Sequence, residues 1–530
     1  MELFWECGFA KRKVIYERQQ QQEALCQMKN KNIVYGVLIS YLNVLISIIY
    51  GFVSVPILLK ALGKSEYGVY STIASLIGYM SIMDFGIHNV LVRYLTKYRV
   101  QNDRKAYENL LAVSLVIYSV ISGILFVIGY YMYQNLGSAF GNSFSVQELE
   151  IARKIFWIVL LDLILSLPGA IFQCVINAEE HFIFGRSVLG IKQIAKLVLV
   201  IAVAEWGGKS FALVCTVFAL NISVIICQAL YAWMRLHMRI HLYEWKWKYI
   251  YSLFVYTFFV FIASVADQIL WKLDSVILGM KVSAEVVAVY AVAMNLVTIY
   301  KKFSGAVSGI FLPRATAMSI TDSSEEASVR LMTKVGVIQF LILSLALIGF
   351  GIVGQEFLLV WLGDGYEEVY VIFLILAFSL MIPSCQSIGI NILEARNKHK
   401  FRAVVCCILA VVNGVFTYLV VPRYGMIGAA SCTAGAVILG QVLILNIYYK
   451  AALHLNIVKF FVDTFLRFLL PVSLAGAAAW WFASKLSMYG SWMSLCIKAI
   501  LVMAVYVAVI IVTAGKRLNG IYHIVNRKGR

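Results

Sequence analysis

The chain has 530 residues, of which 62% are hydrophobic and only 14% charged, with a mean hydropathy of +0.84. Soluble domains are nearer half apolar and a quarter charged, so composition alone makes this a membrane protein with no room for a separate soluble domain. The formal net charge of +18 does not point to nucleic acid, because no folded module is left to present a groove-reading element; dispersed cations meeting anionic lipid headgroups account for it.

Residues 1–31 read as a polar, basic cytoplasmic extension. Its "ERQQQQEALCQMKNKN" lacks the layout of a secretory signal, and "MKNKNIVYG" from Met28 leads directly into an apolar run. The expectation is that translation begins at Met28 and that the segment before it is disordered or absent in the cell.

From there apolar runs long enough to cross a core ~30 Å thick follow one another. The first half predicts spans at Asn32 to Leu59, Tyr67 to Tyr94, Asn109 to Tyr133, Lys154 to Asn177, Ser187 to Ala204, Ser210 to Trp233 and Tyr251 to Leu278. The second predicts Val287 to Leu312, Met332 to Gly354, Val369 to Leu393, Ala403 to Val421 with an abrupt stop at Pro422, Met426 to Tyr449, Phe460 to Phe482 and Met493 to Thr513. Continuous rather than alternating hydrophobicity makes these helices, not barrel strands. The fold class is therefore an all-α polytopic membrane protein of about fourteen spans.

Lysines and arginines collect in alternate loops: Lys97, Arg99, Arg104 and Lys105, then Arg235, Arg239, Lys246 and Lys248, then Arg396 to Arg402, and the tail. The opposite loops are cation-poor, and Gly354 to Glu368 carries only the acids Glu356, Asp364, Glu367 and Glu368. The positive-inside rule then places both termini in the cytoplasm. The ten cysteines have no metal-ligand spacing and read as packing residues, with no disulfide expected.

An internal repeat emerges at an offset of about 220 residues. "LGKSEYGVYSTIASL" (Leu62 to Leu76) matches "VSAEVVAVYAVAMNL" (Val282 to Leu296), "INAEEHFIFGRS" matches "LEARNKHKFRA", and "GGKSFALVC" matches "YGMIGAASC". Two six-helix lobes follow, residues 32–245 and 246–455, with an appended helix pair at 456–516 and a basic tail at 517–530. Because six is even, the lobes enter the membrane in the same sense and are related by an axis along its normal, and rocking would open their seam to one side or the other. Pro56, Pro168, Pro383 and Pro471 fall inside spans, either shaping a cavity or merely kinking packed helices.

Charges within spans are the candidate site. Lys301 and Lys302 lie in the eighth span; Lys301 is about 21 Å deep at ~1.5 Å per residue, and its neighbour points about 100° away. Either both meet water and an anion, or they snorkel. Lys192 and Lys196, spaced i, i+4, share a face of the fifth span. Arg93 sits near the inner end of the second, where a simple interfacial anchor is the plainer reading. Asp267 and Asp274 share a face of the seventh, Asp84 and His88 lie four apart on the second, and Asp162 is mid-span in the fourth. These acids read either as proton or sodium coupling sites or as fixed partners for the lysines.

The stretch from Val55 to Leu95 resembles bacterial polysaccharide exporters, the O-antigen and capsule repeat-unit flippases of the Wzx type. These share the MOP superfamily with the lipid II flippases and the MATE drug exporters. The resemblance rests on "LG-x-x-EYG-x-Y" at Leu62 to Tyr70, "DFG" at Asp84 to Gly86, "LDSVILG" at Leu273 to Gly279 with Tyr290, and "YGMIGAA" at Tyr424 to Ala430, and covers about residues 32–450. It implies a flippase of the bacterial inner membrane that carries an undecaprenyl-pyrophosphate-linked oligosaccharide by alternating access and is no enzyme. The partners implied are the lipid-linked oligosaccharide, membrane lipids, and the polysaccharide polymerase and chain-length regulator. No cofactor is implied beyond a coupling H+ or Na+. The lysines and Arg93 would receive the pyrophosphate, with the acids as coupling-ion or charge-partner candidates. The long N-terminal extension departs from the family pattern, as does Val287-Ala288 in place of an expected glycine, which puts the tightness of that turn in doubt. A MATE-like cation exporter is the alternative, but it calls for acids and aromatics where this chain has lysines. A membrane polymerase or glycosyltransferase is a further one, but it calls for a large extramembrane loop, and none here exceeds about twenty residues.

Overall fold

The computed structural model describes residues 2–80, 87–245, 265–321, 325–395, 400–486 and 490–526; side chains within 2–38, 312–321 and 516–526, and those at 79, 89, 310, 394 and 395, lie outside the description. Ten helices among the described residues are long and apolar enough to cross a membrane. Two of these, at 39–78 and 400–453, contain 40 and 54 residues. At ~1.5 Å per residue each is at least about twice as long as the hydrocarbon core is thick, so each is two crossings. They divide at Gly63 (φ 75°) and Gly425 (φ 57°), backbone angles that a Cβ would strain and glycine takes freely. Adding 265–281 and 457–484 brings the described crossings to fourteen.

These are α1 (39–62), α2 (64–100, with 81–86 outside the description), α3 (Arg104–Gln134), α4 (Val146–Ala178), α5 (Phe182–Glu205), α6 (Ser210–Met234) and α7 (265–281). The second half holds α8 (Ala284–Thr321), α9 (Glu325–Leu362), α10 (Glu367–Cys385, then Ser387–Ala395), α11 (400–424), α12 (426–453), α13 (457–484) and α14 (Trp492–Asn526). Backbone from Glu2 is helical and runs into α1.

Three expectations are corrected. Pro422 lies inside its helix, and the chain turns three residues later at Gly425. The tenth span is not one helix but breaks at Gln386, whose N–H bonds the Pro383 carbonyl. Glu356 is not a loop acid: α9 continues past it to Leu362, and it is 4% exposed. Its carboxylate accepts from Lys498 Nζ at 2.8 Å, Ser494 Oγ at 2.6 Å and the Gly490 N–H at 3.2 Å. The hydropathy dip at Gly354-Gln355-Glu356 mimics a span end because the compensating cation lies far away in sequence. This cluster, with the Ser344 to Tyr506 hydroxyl contact of 2.8 Å, fastens α14 onto α9. A buried charge that kept no such partner would cost several kcal/mol.

The lobes meet along two helix pairs. Tyr41 lies by Gly309, Ser47 by Lys302 and Gly51 by Asn295, so α1 runs antiparallel to α8. Gly68 lies by Ala284, Thr72 by Gly279 and Gly78 by Lys272, so α2 runs antiparallel to the α7–α8 hairpin. A two-fold axis that carries α1 onto α7 and α2 onto α8 exchanges these two pairings, as parallel repeats require. The glycine question raised by Val287-Ala288 also resolves here. Gly68 is helical, and its role is close approach: a Cβ there would sit 1.7 Å from the Ala284 carbonyl oxygen. Val287 and Ala288 are buried in the same core, and the second-repeat turn is made instead at Val282-Ser283, with Ser283 Oγ accepting the Val286 N–H.

The two ends of the bundle differ. At the cation-poor end, three consecutive residues after Gly63 grip three separate segments. Lys64 Nζ donates to the Gly365 carbonyl at 2.9 Å and lies 4.5 Å from the Tyr366 ring centroid. Ser65 Oγ bonds Glu148, which also closes the capping box that starts α4. Glu66 accepts the backbone N–H (2.8 Å) and hydroxyl of Ser210 at the start of α6, where an acid suits the exposed N–H groups and the helix dipole.

Candidate functional site

The exposed faces of α1 and α8 separate lipid from cavity. On α1, Leu42, Leu45, Ile49 and Val53 are exposed and follow helical spacing, as a lipid-facing stripe does. Roughly opposite runs a polar stripe, Ser40, Asn43, Ser47, Tyr50 and Ser54, at the same period. On α8 the exposed stripe is Thr298, Lys301, Gly305 and Gly309, a polar and small-residue composition that hydrocarbon does not stabilise.

The two adjacent lysines diverge as their ~100° separation requires. Lys301 Nζ sits 4.1 Å over the Trp271 ring of α7, with Asp267 the carboxylate whose field reaches it. Lys302 turns the other way and its Nζ bonds Ser47 Oγ across the seam. Lys272 of α7 faces α2: its Nζ occupies the space that a Cβ on Gly78 would enter, 2.5 Å away. Lys302 and Lys272 thus stand on the α1–α8 and α2–α7 pairings of the seam, while Lys301 packs on Trp271 within the second lobe.

Lys192 and Lys196 lie on α5 of the first lobe, which packs against the same α1. Lys196 Nζ is 4.9 Å from the Tyr50 ring centroid, and Asp162 is the acid electrostatically coupled to both lysines. Asp162 Oδ2 accepts from Asn221 Nδ2 at 2.6 Å, while Oδ1 is buried without a hydrogen-bond partner. Tyr50 also lines a small cavity of about 20 Å³, together with Leu58, Leu62, Tyr70, Val200, Leu213 and Val217. Arg93 is exposed on α2, one turn from Lys97. His88 Nδ1 is 3.1 Å from the Cys174 sulfur. Asp84 lies outside the described residues.

Asp274 is 1% exposed, and its bonded partners are hydroxyls, not ammonium groups. Tyr290 Oη donates at 2.6 Å, Thr433 Oγ1 at 2.7 Å and Thr417 Oγ1 at 3.4 Å. Asn413 Nδ2 donates to Thr433 at 3.1 Å, and Asn413 Oδ1 is buried with no partner. Tyr290, Thr417, Thr433 and Asn413 had no place in the sequence-derived site. For Asn413, Thr417 and Thr433 the signal was polar residues of α11 and α12 at the depth of an intramembrane acid, and for Tyr290 its place on α8, the helix after that acid.

At the cation-poor end the lobes are joined directly. Lys64 reaches Gly365, Trp361 Nε1 donates to the Phe52 carbonyl at 2.9 Å, and Ser143 Oγ donates to the Gly279 carbonyl at 2.5 Å. Gly68 on Ala284 closes the same region at backbone contact.

A two-lobed helical bundle with charged groups along its seam defines a multi-pass membrane protein of transporter architecture. Among solved structures, the lipid II flippase MurJ in an inward closed conformation shares this fold, with a TM-score of 0.71 at 13% identity over 92% of this chain and 100% of that one. The sequence from residue 33 to 318, more than half of the chain, matches the family described as "Polysaccharide biosynthesis protein", and the chain belongs to that family. It is 24% identical over 411 residues, 75% of this chain and 93% of the relative, to a Shigella flexneri protein assigned as an O-antigen transporter. It is 20% identical over 394 residues, 72% of this chain and 76% of the relative, to a Haloferax volcanii protein assigned as the low-salt glycan biosynthesis flippase Agl15.

Proposed function

We propose that the chain is a flippase that carries an undecaprenyl-diphosphate-linked oligosaccharide from the cytoplasmic to the outer leaflet, with the cation-rich end cytoplasmic. The observation that carries this reading is the exposed polar stripe of α8 bearing Lys301, beside Lys302 and Lys272 at the lobe seam. Ammonium groups lining a water-filled cleft with apolar walls focus a positive field on a diphosphate and hold it as point charges. The polyprenyl tail stays in lipid while the headgroup enters between the lobes. With the cation-poor end zipped by Lys64, Trp361, Ser143 and Gly68, the conformation described is closed on the outer side.

Coupling is assigned to Asp274. A buried carboxylate ringed by three hydroxyls, with the unpartnered Asn413 oxygen nearby, is an oxygen donor set suited to a hard monovalent cation such as Na+, or to a proton on the carboxylate itself. Binding there would neutralise a charge buried in the second lobe and so bias its packing.

The test is flipping of lipid-linked oligosaccharide in proteoliposomes by the Lys301→Ala, Lys302→Ala double variant. The reading expects at least a tenfold loss of rate, restored in part by arginine at both positions; a rate equal to wild type would refute it.

A further inference from the structure

Resting on that reading, we propose that the indole of Trp271 is the carbohydrate platform of the cavity, covered by Lys301 in the empty protein and uncovered when a diphosphate draws the ammonium away. An indole face accepts one guest. An ammonium 4.1 Å above the ring excludes a pyranose, whose C–H groups need that same face in van der Waals contact. Lys301 is held there by the ring and by the field of one carboxylate, Asp267, and several charge-assisted hydrogen bonds to a doubly or triply charged diphosphate outweigh both. Its arrival therefore frees the ring.

The surroundings fit a sugar. Asp267 is exposed and one helical turn before Trp271 on α7, which places a carboxylate acceptor for sugar hydroxyls beside the ring. Trp271 is half-buried, so the indole is fixed by packing yet open on one side. Lys301 and Trp271 touch, so the sugar bonded directly to the diphosphate is the one within reach. The site would read the lipid-proximal hexose, after and only after the diphosphate is held.

The experiment uses the full chain in nanodiscs with two probes, a short-chain prenyl diphosphate and the same compound carrying one hexose, titrated calorimetrically. Wild type is expected to bind the glycosylated probe about tenfold more tightly. Trp271→Leu should bind both equally, with affinity for the bare diphosphate unchanged or slightly higher. Retention of the tenfold preference in Trp271→Leu would overturn the inference. Should that variant fail to fold, Trp271→Phe serves with a second readout. Inorganic pyrophosphate should change tryptophan emission in wild type, and the change should be missing in Trp271→Phe. Pyrophosphate that binds but gives both proteins the same spectral response would overturn the inference. If neither probe binds wild type, the flippase reading itself fails, and the platform with it.

Discussion

Lys302 of α8 and Ser47 of α1 meet across the lobe seam, the ammonium donating to the hydroxyl. Six residues before Ser47 and seven after Lys302, Tyr41 and Gly309 are near neighbours on the antiparallel pair. A headgroup phosphate that takes Lys302 from Ser47 exchanges an inter-lobe contact for a substrate contact, which is differential binding to one conformation. Ser47→Ala removes the competing partner. It should tighten diphosphate binding by two- to fivefold, read by calorimetry, and slow release, read as a lower maximal flipping rate.

Gly68 faces the Ala284 carbonyl so closely that a methyl group cannot be added without separating the lobes. Gly68→Ala should fold, because alanine is the better helix former, but should hold the cation-poor end open. The measurement is labelling of a cysteine placed at Gly279 by a membrane-impermeant thiol reagent. The rate should rise at least tenfold over the same cysteine in an otherwise unchanged chain.

Lys64 bonds a backbone carbonyl in the other lobe rather than an acid, a contact that can part without leaving a buried charge unpaired. A Lys64→Cys, Gly365→Cys pair, too far apart for a direct disulfide, should be bridged by a short bis-methanethiosulfonate cross-linker, which should stop flipping. Reductant should restore the activity. Lys64→Met should leave thermal stability within about 0.5 kcal/mol, as for other partly exposed polar contacts.

The Glu356 and Lys498 pair makes an opposite prediction, because its charges are buried. Lys498→Ala leaves an uncompensated carboxylate at the α9–α14 contact and should cost about 3 to 5 kcal/mol, seen as a lower melting temperature with α14 more open to proteolysis. The double variant Glu356→Gln, Lys498→Met removes both charges and should recover most of that loss.

Asp274→Asn keeps the shape of its pocket and removes the charge. If the cluster is the coupling site, flipping by this variant should become independent of Na+ and of pH, while diphosphate affinity at Lys301 and Lys302 stays within twofold. Tyr290→Phe removes one of the three hydroxyl donors and should weaken cation dependence without abolishing it.

The helices were legible because hydrocarbon imposes a single requirement, about twenty apolar residues, that no tertiary contact overrides. The lobes were legible because repeated loops keep their spacing. Turn chemistry and charge pairing were not. Pro422 reads as a stop, yet a proline near a helix end is tolerated, and Gly425 makes the turn. Glu356 reads as a loop acid because Lys498 is far away in sequence, and only packing brings them together. The divergence of Lys301 and Lys302 followed from helical periodicity alone, whereas Trp271 and Ser47 as their partners depended on how α7 and α1 pack. The polar stripe from Ser40 to Ser54 was readable in principle, since its period is that of a helix, but serines are quiet beside lysines.

The central claim is that the seam encloses a solvated, electropositive space. The most direct measurement places a cysteine at Thr298 on the exposed stripe of α8, in an otherwise cysteine-free chain, and compares labelling by small impermeant thiol reagents of opposite charge, with Val53→Cys on α1 as the lipid-facing control. Faster reaction of Thr298→Cys with the anionic reagent, slowed by pyrophosphate and absent at Val53→Cys, is the expected result. An unreactive Thr298→Cys, or one that favours the cationic reagent, would contradict the account.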